Sequence, residues 1–277
     1  MTDGDASDDG LPDPAVPAAL YDETYYLSAN WGFETWSESG GRAISPIYRG
    51  AMARARLAPE AVVVDIGTGR GELLVAALEA GASRAVGVEY SPAAIAMTET
   101  TLAEHAVGDR ARVVEADARA IPLDDDEADL VTMLDVVEHL APAELAATLA
   151  EAHRILRPGG RILVHTMPNR RIYDVTYRWQ RRLVPGRRRR WPEDPRNDWE
   201  RSMHVNEQTA RSLSAALLHA GFDATVSHGQ LVYADFVPDE RSRRLYQRLA
   251  STPGLRSFGS GDLWGEGRKP ERGAAQR

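Results

Sequence analysis

The chain has 277 residues, a formal net charge of -8 and no cysteine. That length suits one sizeable domain with appendages, and such a domain buries a full core without covalent staples. The lack of cysteine excludes disulfides, thiolate zinc sites and a cysteine nucleophile, the acidic balance argues against nucleic-acid binding by the whole surface, and no apolar run approaches the roughly 20 residues of a membrane helix.

Residues 1–23 carry seven acids and no base. They lack the basic and apolar regions of a secretory signal, so a cytoplasmic protein is the expectation. Residues 1–20, rich in Asp, Pro and Ala, read as a disordered tail. Residues 21–58 read as an aromatic, partly helical cap, because Tyr21, Tyr25, Tyr26, Trp31, Phe33 and Trp36 are too many aromatics for a free tail. A helix is expected over about 44–57, ending before Pro59. The main domain is expected over 59–268, with a polar tail at 269–277.

From Ala61 the pattern alternates. Ala61–Ile66, Ala85–Glu89, Ala111–Glu115, Ala128–Leu134 and Arg161–Thr166 read as short buried strands. Between them, helices are expected at Glu72–Glu79, from Ser91-Pro92 to about Ala106, and at Pro142–Leu156, where Arg157-Pro158-Gly159-Gly160 stops the last one. A further helix is expected at Asn206–Ala220, extended segments at Phe222–Ser227 and Leu231–Phe236, a charged helix at Asp239–Ala250, and a last strand around Leu255–Trp264. Alternating strands and helices imply βαβ units, a doubly wound parallel sheet and a ligand crevice outside the carboxyl ends of the strands.

The chemistry-bearing residues fall at those ends. Val63-Val64-Asp65-Ile66-Gly67-Thr68-Gly69-Arg70-Gly71 puts a carboxylate at a strand end and then a glycine turn into a helix. The spacing is G-x-G-x-G rather than the G-x-G-x-x-G of dinucleotide sites, and an acid beside the turn suits a cationic ligand better than a pyrophosphate. Glu89 ends strand two, where a carboxylate can accept both hydroxyls of a ribose. Asp117 follows strand three and is placed to meet an adenine amino group, although turn chemistry alone also favours Asp there. Asp135 ends strand four, next to strand one, and serves equally as a ligand contact or a helix cap.

This set resembles the class I S-adenosylmethionine methyltransferases, in the branch related to the ubiquinone-biosynthesis methyltransferases. The likeness is strongest over about residues 60–167 and weaker at His204–Thr209 and Ala220-Gly221-Phe222. It implies a seven-stranded, mostly parallel sheet with helices on both faces and the last strand antiparallel. It implies S-adenosylmethionine as cofactor, with Asp65, Gly67 and Gly69 at the methionine part, Glu89 at the ribose, and Asp117 with Ala118 at the adenine. The candidate cofactor residues are Asp65, Gly67, Thr68, Gly69, Gly71, Glu89, Tyr90, Asp117, Ala118 and Asp135.

The acceptor side is less legible. His139, in Glu138-His139-Leu140, and His204 are candidate general bases, each also readable as a packed histidine; His165 reads as packed within its strand. No metal ligand set is named. Residues 170–201 hold eleven arginines against five acids. This Arg- and Trp-rich insertion, about 169–203, reads as a lid over an anionic acceptor, a peripheral membrane patch, a nucleic-acid patch, or a solvated segment. Its place after strand five favours the lid among the functional readings. No Asn-Pro-Pro-Tyr-like segment is present, which disfavours a base amine as target. The expected reaction is methyl transfer to a small-molecule, glycan-linked or lipid-linked acceptor, at oxygen. A nicotinamide oxidoreductase and a non-catalytic binding protein on the same fold are the competing readings.

Overall fold

The computed structural model describes residues 11–28, 30, 32–230 and 239–272. Three helices precede the sheet: α1 (Glu23–Tyr26), α2 (Phe33–Ser39) and α3 (Pro46–Ala55). The alternating core follows as β1 (Val62–Ile66), α4 (Glu72–Glu79), β2 (Arg84–Glu89), α5 (Pro92–Glu104), β3 (Ala111–Glu115), β4 (Ala128–Leu134), α6 (Pro142–Ile155) and β5 (Leu156–Thr166). The remainder is α7 (Arg178–Leu183), α8 (Arg187–Arg190), α9 (Asp198–Met203), α10 (Ala210–His219), β6 (Asp223–His228), α11 (Glu240–Ser251) and β7 (Leu263–Arg268).

The sheet order is β3-β2-β1-β4-β5-β7-β6, with β7 antiparallel to both neighbours and every other pairing parallel. Successive side chains on a strand point to opposite faces, so Val63 and Val64 enter different cores. Val64, Val131 and Met133 pack with Leu149 of α6 and Leu217 of α10. Val63, Leu130 and Leu163 pack with Met52 of α3 and Leu74 of α4. Helices cover both faces, which is why the strands are apolar runs rather than alternating ones. The order also leaves the carboxyl ends of β1 and β4 side by side, where the topology changes direction.

Local chemistry sets the helix starts. Ser91 accepts the Ala94 amide and Pro92 follows it, and Thr209 accepts the Ser212 amide.

Several expectations need correction. The disordered tail was expected to reach residue 20, yet part of it is docked: Val16 is buried, its carbonyl accepts the Tyr90 hydroxyl, and the Ala15 amide donates to Glu144. Residues 1–10 lie outside the described residues, as do Trp31 of the aromatic cap and the extended segment expected at Leu231–Phe236. The Arg157-Pro158-Gly159-Gly160 segment is part of β5, where a register shift against Ala128 and Leu130 absorbs it. The helix expected at Asn206–Ala220 is α10, which starts at Ala210 rather than Asn206. The last strand is Leu263–Arg268; the residues read for it include only a short turn, Arg256–Phe258, before its first two positions. Within the expected polar tail, Lys269 is inserted between Asp126 and the Leu156 carbonyl.

Candidate active site

The glycine turn after β1 is held open by geometry that side chains resist. Gly67, Gly69 and Gly71 have φ of +72°, +57° and +76°. A Cβ on Gly67 would stand 2.6 Å from Cγ2 of Val136, and one on Gly71 would stand 2.7 Å from Cγ2 of Thr98. The turn is pressed between the β4 end and α5, which leaves its backbone exposed to the crevice.

Arg70, between two of those glycines, is 1% exposed and joins the turn to the N-terminal cap. Its guanidinium pairs with Glu72 at 2.8 Å and donates to the Tyr26 carbonyl and Asn30 Oδ1. Glu72 in turn accepts the Ser45 amide at 3.0 Å. Nothing in the periodicity marks Arg70 as the link to the cap, because its partners there, Tyr26 and Asn30, are 40 and more residues away.

The cleft beside the glycine turn, about 780 Å³, is walled by Gly67, Gly69, Glu89, Tyr90, Asp117, Ala118 and Asp135 on one side and by Tyr21, Tyr25, Tyr26 and Val16 on the other. Glu89 is buried, and its oxygens accept the amides of Gly69, Tyr90 and Ser91 at 3.1, 2.9 and 3.0 Å. Burial raises its pKa even against those three donors. Asp117 is clasped by the Arg119 guanidinium and amide, and although partial burial works the other way, Arg119 holds its pKa below the usual range. Arg119, itself 3.5 Å from Glu144, lines the cleft and was not singled out in the sequence.

Three of the sequence candidates stand elsewhere. Asp65 and Thr68 line a smaller cavity beneath the glycine turn, with Tyr48, Leu73, His165 and Trp264. Asp65 accepts the Thr132 hydroxyl at 2.6 Å, and burial pushes its pKa up to about 7. Gly71 lines none of these cavities; it is the contact of the turn with Thr98.

Asp135 and Asn30 face the cleft, the cavity beneath the turn and a third, more open cavity. Asp135 has φ +56°, a conformation favoured in non-glycine residues mainly by Asn and Asp. His165 holds it there. Nδ1 of His165 is 2.8 Å from Asp135 Oδ1, and Nε2 is 3.4 Å from Asp262 Oδ2, an ion-pair contact without hydrogen-bond geometry. Burial alone would lower the His165 pKa, but the Asp135 and then the Asp262 carboxylates outweigh it and raise the value to about 10. His165 is therefore packed, as its strand position implies, and it is also a buried cation between two acids. A folded pKa above the unfolded value of about 6.5 stabilises fully below that value, and the contribution is lost as pH rises through about 10. Thermal midpoints should fall between pH 7 and 10 with the slope of one bound proton, and His165→Gln should flatten that slope. An unchanged slope in the variant would assign the titration elsewhere.

The third cavity opens beside the cleft, and Tyr25, Asn30, Asp135 and His139 wall both. Its other walls are Phe33 and Glu34 of α2, Met167 and Pro168, Trp199, Glu200 and Met203 of α9, Glu138 and His204. Part of the 169–203 insertion thus folds over the crevice where a lid was expected. It does so with Trp, Met, Glu and Asn; no arginine is among the wall residues, so the anionic acceptor finds no support in this cavity.

Glu138, His139 and His204 meet in that wall, with ligand-capable atoms within 4.8 Å of one another. Two imidazoles and a carboxylate are a donor set for a divalent cation, although the sequence reading named none. His139 and His204 stack edge to face at 4.9 Å, and Nδ1 of His139 is buried with no hydrogen-bond partner. Burial, helped by the charge of His204, pushes the His139 pKa down to about 3. Burial and then Asp135 raise that of Glu138, which also accepts the Thr166 hydroxyl at 2.8 Å. Burial works against a charged His204, but Glu207, Glu138 and Glu200 outweigh it and raise its pKa. Glu207 is fixed by Arg196 at 2.7 Å.

A family described as a methyltransferase domain matches residues 63–160, from β1 into β5. A demethylmenaquinone methyltransferase of Thermus thermophilus is 32% identical over 127 residues, 44% of this chain and 56% of that one. Over residues 63–160 the chain is similar to methyltransferase domains, and its curated relatives over this region are methyltransferases. The chain spans about half the length of the curated relatives it matches. Two solved structures share its fold. Geranyl diphosphate C-methyltransferase of Streptomyces coelicolor, solved with Mg2+, geranyl diphosphate and S-adenosyl-L-homocysteine, is 17% identical at a TM-score of 0.57, covering 87% of each chain. A [4+2]-cyclase is 16% identical at 0.61, covering 94% of this chain and 98% of its own.

The cleft fits S-adenosylmethionine by chemistry as well as by place. A glycine cradle that a Cβ would crowd and four carboxylates, Glu89, Asp117, Asp135 and Glu144, line it, with Arg119 paired to Asp117. That environment suits a nucleoside bearing positive charge and repels a pyrophosphate.

Proposed function

We propose that the protein transfers a methyl group from S-adenosylmethionine to a hydroxyl-bearing small molecule held in the cavity beside the cofactor cleft. The observation that carries this reading is the shared wall: Tyr25, Asn30, Asp135 and His139 border both spaces, so two ligands can meet there. Bound S-adenosylmethionine supplies a methyl group activated by a positive sulfonium. Glu89 would accept the ribose hydroxyls, Asp117 and Ala118 would border the adenine, and the glycine turn would take the methionine part, with Asp65 and Thr68 beneath it. Tyr21, Tyr25 and Tyr26 would close the cleft and exclude water.

On the acceptor side the chain's own work is to orient a hydroxyl and take its proton. His139 is neutral at pH 7 and presents an unpartnered Nδ1, so it can accept a hydrogen bond from the acceptor. Its low pKa makes it a poor final proton holder. Glu138 beside it has its pKa raised toward neutrality, which matches a general base better. His204 would favour the ionised form of Glu138. Oxygen remains the proposed acceptor atom because a hydroxyl is what this pair can deprotonate; an enolisable carbon next to a hydroxyl would use the same first step.

The test is calorimetric titration with S-adenosylmethionine, its demethylated product and, separately, NADH. Glu89→Gln should weaken the two sulfur nucleosides about tenfold to a hundredfold, the loss of one or two hydrogen bonds to a charged group. Tight NADH binding with no binding of either sulfur nucleoside would sink the reading.

A further inference from the structure

We propose that the hairpin of α7 and α8 is a docking surface for a bilayer carrying anionic lipid. The inference stands on the outer face of the insertion and does not depend on the acceptor.

The hairpin is well anchored from within. Tyr177 stacks on Trp191 at 5.2 Å, Tyr246 of α11 is buried in the same cluster, and Arg187 lies over the Trp191 ring at 4.4 Å. The Tyr173 hydroxyl donates to Glu200 of α9 at 3.0 Å, which ties the unit to the cavity wall. A segment that buries these aromatics had the means to bury others. It leaves Trp179 61% exposed and Leu183 68% exposed. These two are four residues apart on one helix and so share a face. Val184 and Pro185 continue the exposed apolar surface through the turn, which closes at Gly186 with φ +80°.

Charge surrounds that tip on both sides. Residues 175–192 hold seven arginines and no acid, in a chain whose net charge is -8. Arg181 and Arg187 are turned inward, onto the Trp191 carbonyl and onto Gln180. Arg178, Arg182, Arg188, Arg189 and Arg190 are exposed and make no ion pair with a described residue. A Trp and a Leu projecting from an arginine collar are what a headgroup layer receives: the indole and aliphatic chain enter the interface and the guanidinium groups meet lipid phosphates. A single-stranded RNA site would instead stack successive bases on several aromatic faces along a basic groove, and only one aromatic is exposed here. The docked face would lie on the same folded unit that walls the acceptor cavity.

The experiment is co-sedimentation of the untagged full chain with vesicles of phosphatidylcholine, alone or with about one-third phosphatidylglycerol, at low and at high salt. The expected result is binding to the anionic vesicles that weakens at least about tenfold without the anionic lipid and falls with salt. Trp179→Ala/Leu183→Ala and Arg188→Glu/Arg189→Glu should each reduce it by a similar factor, while binding of S-adenosyl-L-homocysteine stays at the wild-type level and shows that the variants fold. No binding to anionic vesicles, equal binding to both vesicle types, or binding unchanged in either variant overturns the proposal. So does binding to single-stranded RNA that exceeds vesicle binding and that only the arginine variant weakens.

Discussion

Arg70→Ala should lower folding stability by about 3–5 kcal/mol, the usual cost of removing one partner from a buried ion pair. Both side chains of the Arg70–Glu72 pair have no solvent exposure. Alanine at 70 leaves the Glu72 carboxylate buried with only the Ser45 amide and helix N-terminus to offset it. It also removes the donor shared by the Tyr26 carbonyl and Asn30, so the loss extends to the cap. Two readouts separate these effects. Denaturant midpoints report the whole loss, and proteolysis within residues 11–45 reports release of the cap. Arg70→Met/Glu72→Leu should recover most of the global stability, since apolar replacement of a buried pair is often neutral, but not cofactor affinity, because Asn30 would no longer be held at the wall of the cleft. A loss below about 1 kcal/mol in Arg70→Ala would mean that the pair is solvated in solution.

The sheet was legible because its signals are local. A buried parallel strand announces itself in five or six residues, as Val63-Val64-Asp65-Ile66 does, and Ser91-Pro92 marks its helix start without reference to anything distant. The glycine turn, Glu89 and Asp135 were singled out for the same reason: topology alone brings strand ends together, so position in the alternation places them at the cleft, whereas Ala118 entered only through the family resemblance. What failed to show was contact between distant segments. Arg70 reads as an exposed turn residue until residues 26 and 30 are folded over it. Arg119 is visible as a charge two residues from Asp117, but its place in the cleft beside Glu144 needs α6 folded against the turn. Val16 looked like part of a tail because one apolar residue among prolines has no period. The 169–203 insertion misled in a different way. Its arginines dominate the composition and suggested the chemistry of the lid, whereas the cavity is walled by the residues between them, and the exposed arginines face outward.

For Glu138 and His139, residue type and surroundings point to opposite roles. Histidine is the usual base at neutral pH because its unperturbed pKa is about 6.5 and that of Glu about 4.3. Burial acts oppositely on the two: it disfavours the cation of His139 and the anion of Glu138, so the values move past each other. Glu138→Gln should therefore lower kcat about 10²–10⁴-fold, the usual contribution of a positioned general base. Gln keeps the volume and can still accept the Thr166 hydroxyl, so cofactor affinity and fold should stay near wild type. In the wild type the base must be ionised, and activity should fall as pH drops through its raised pKa; in Glu138→Gln that acid limb should vanish. His139→Ala should raise KM more than it lowers kcat, because it removes an orienting hydrogen bond rather than the proton acceptor. Single-turnover transfer of labelled methyl to a phenolic acceptor, followed from pH 5 to 9, measures all three. An acid limb that disappears with His139→Ala and persists in Glu138→Gln would return the role of base to the histidine, and with it the reading that residue type alone had suggested.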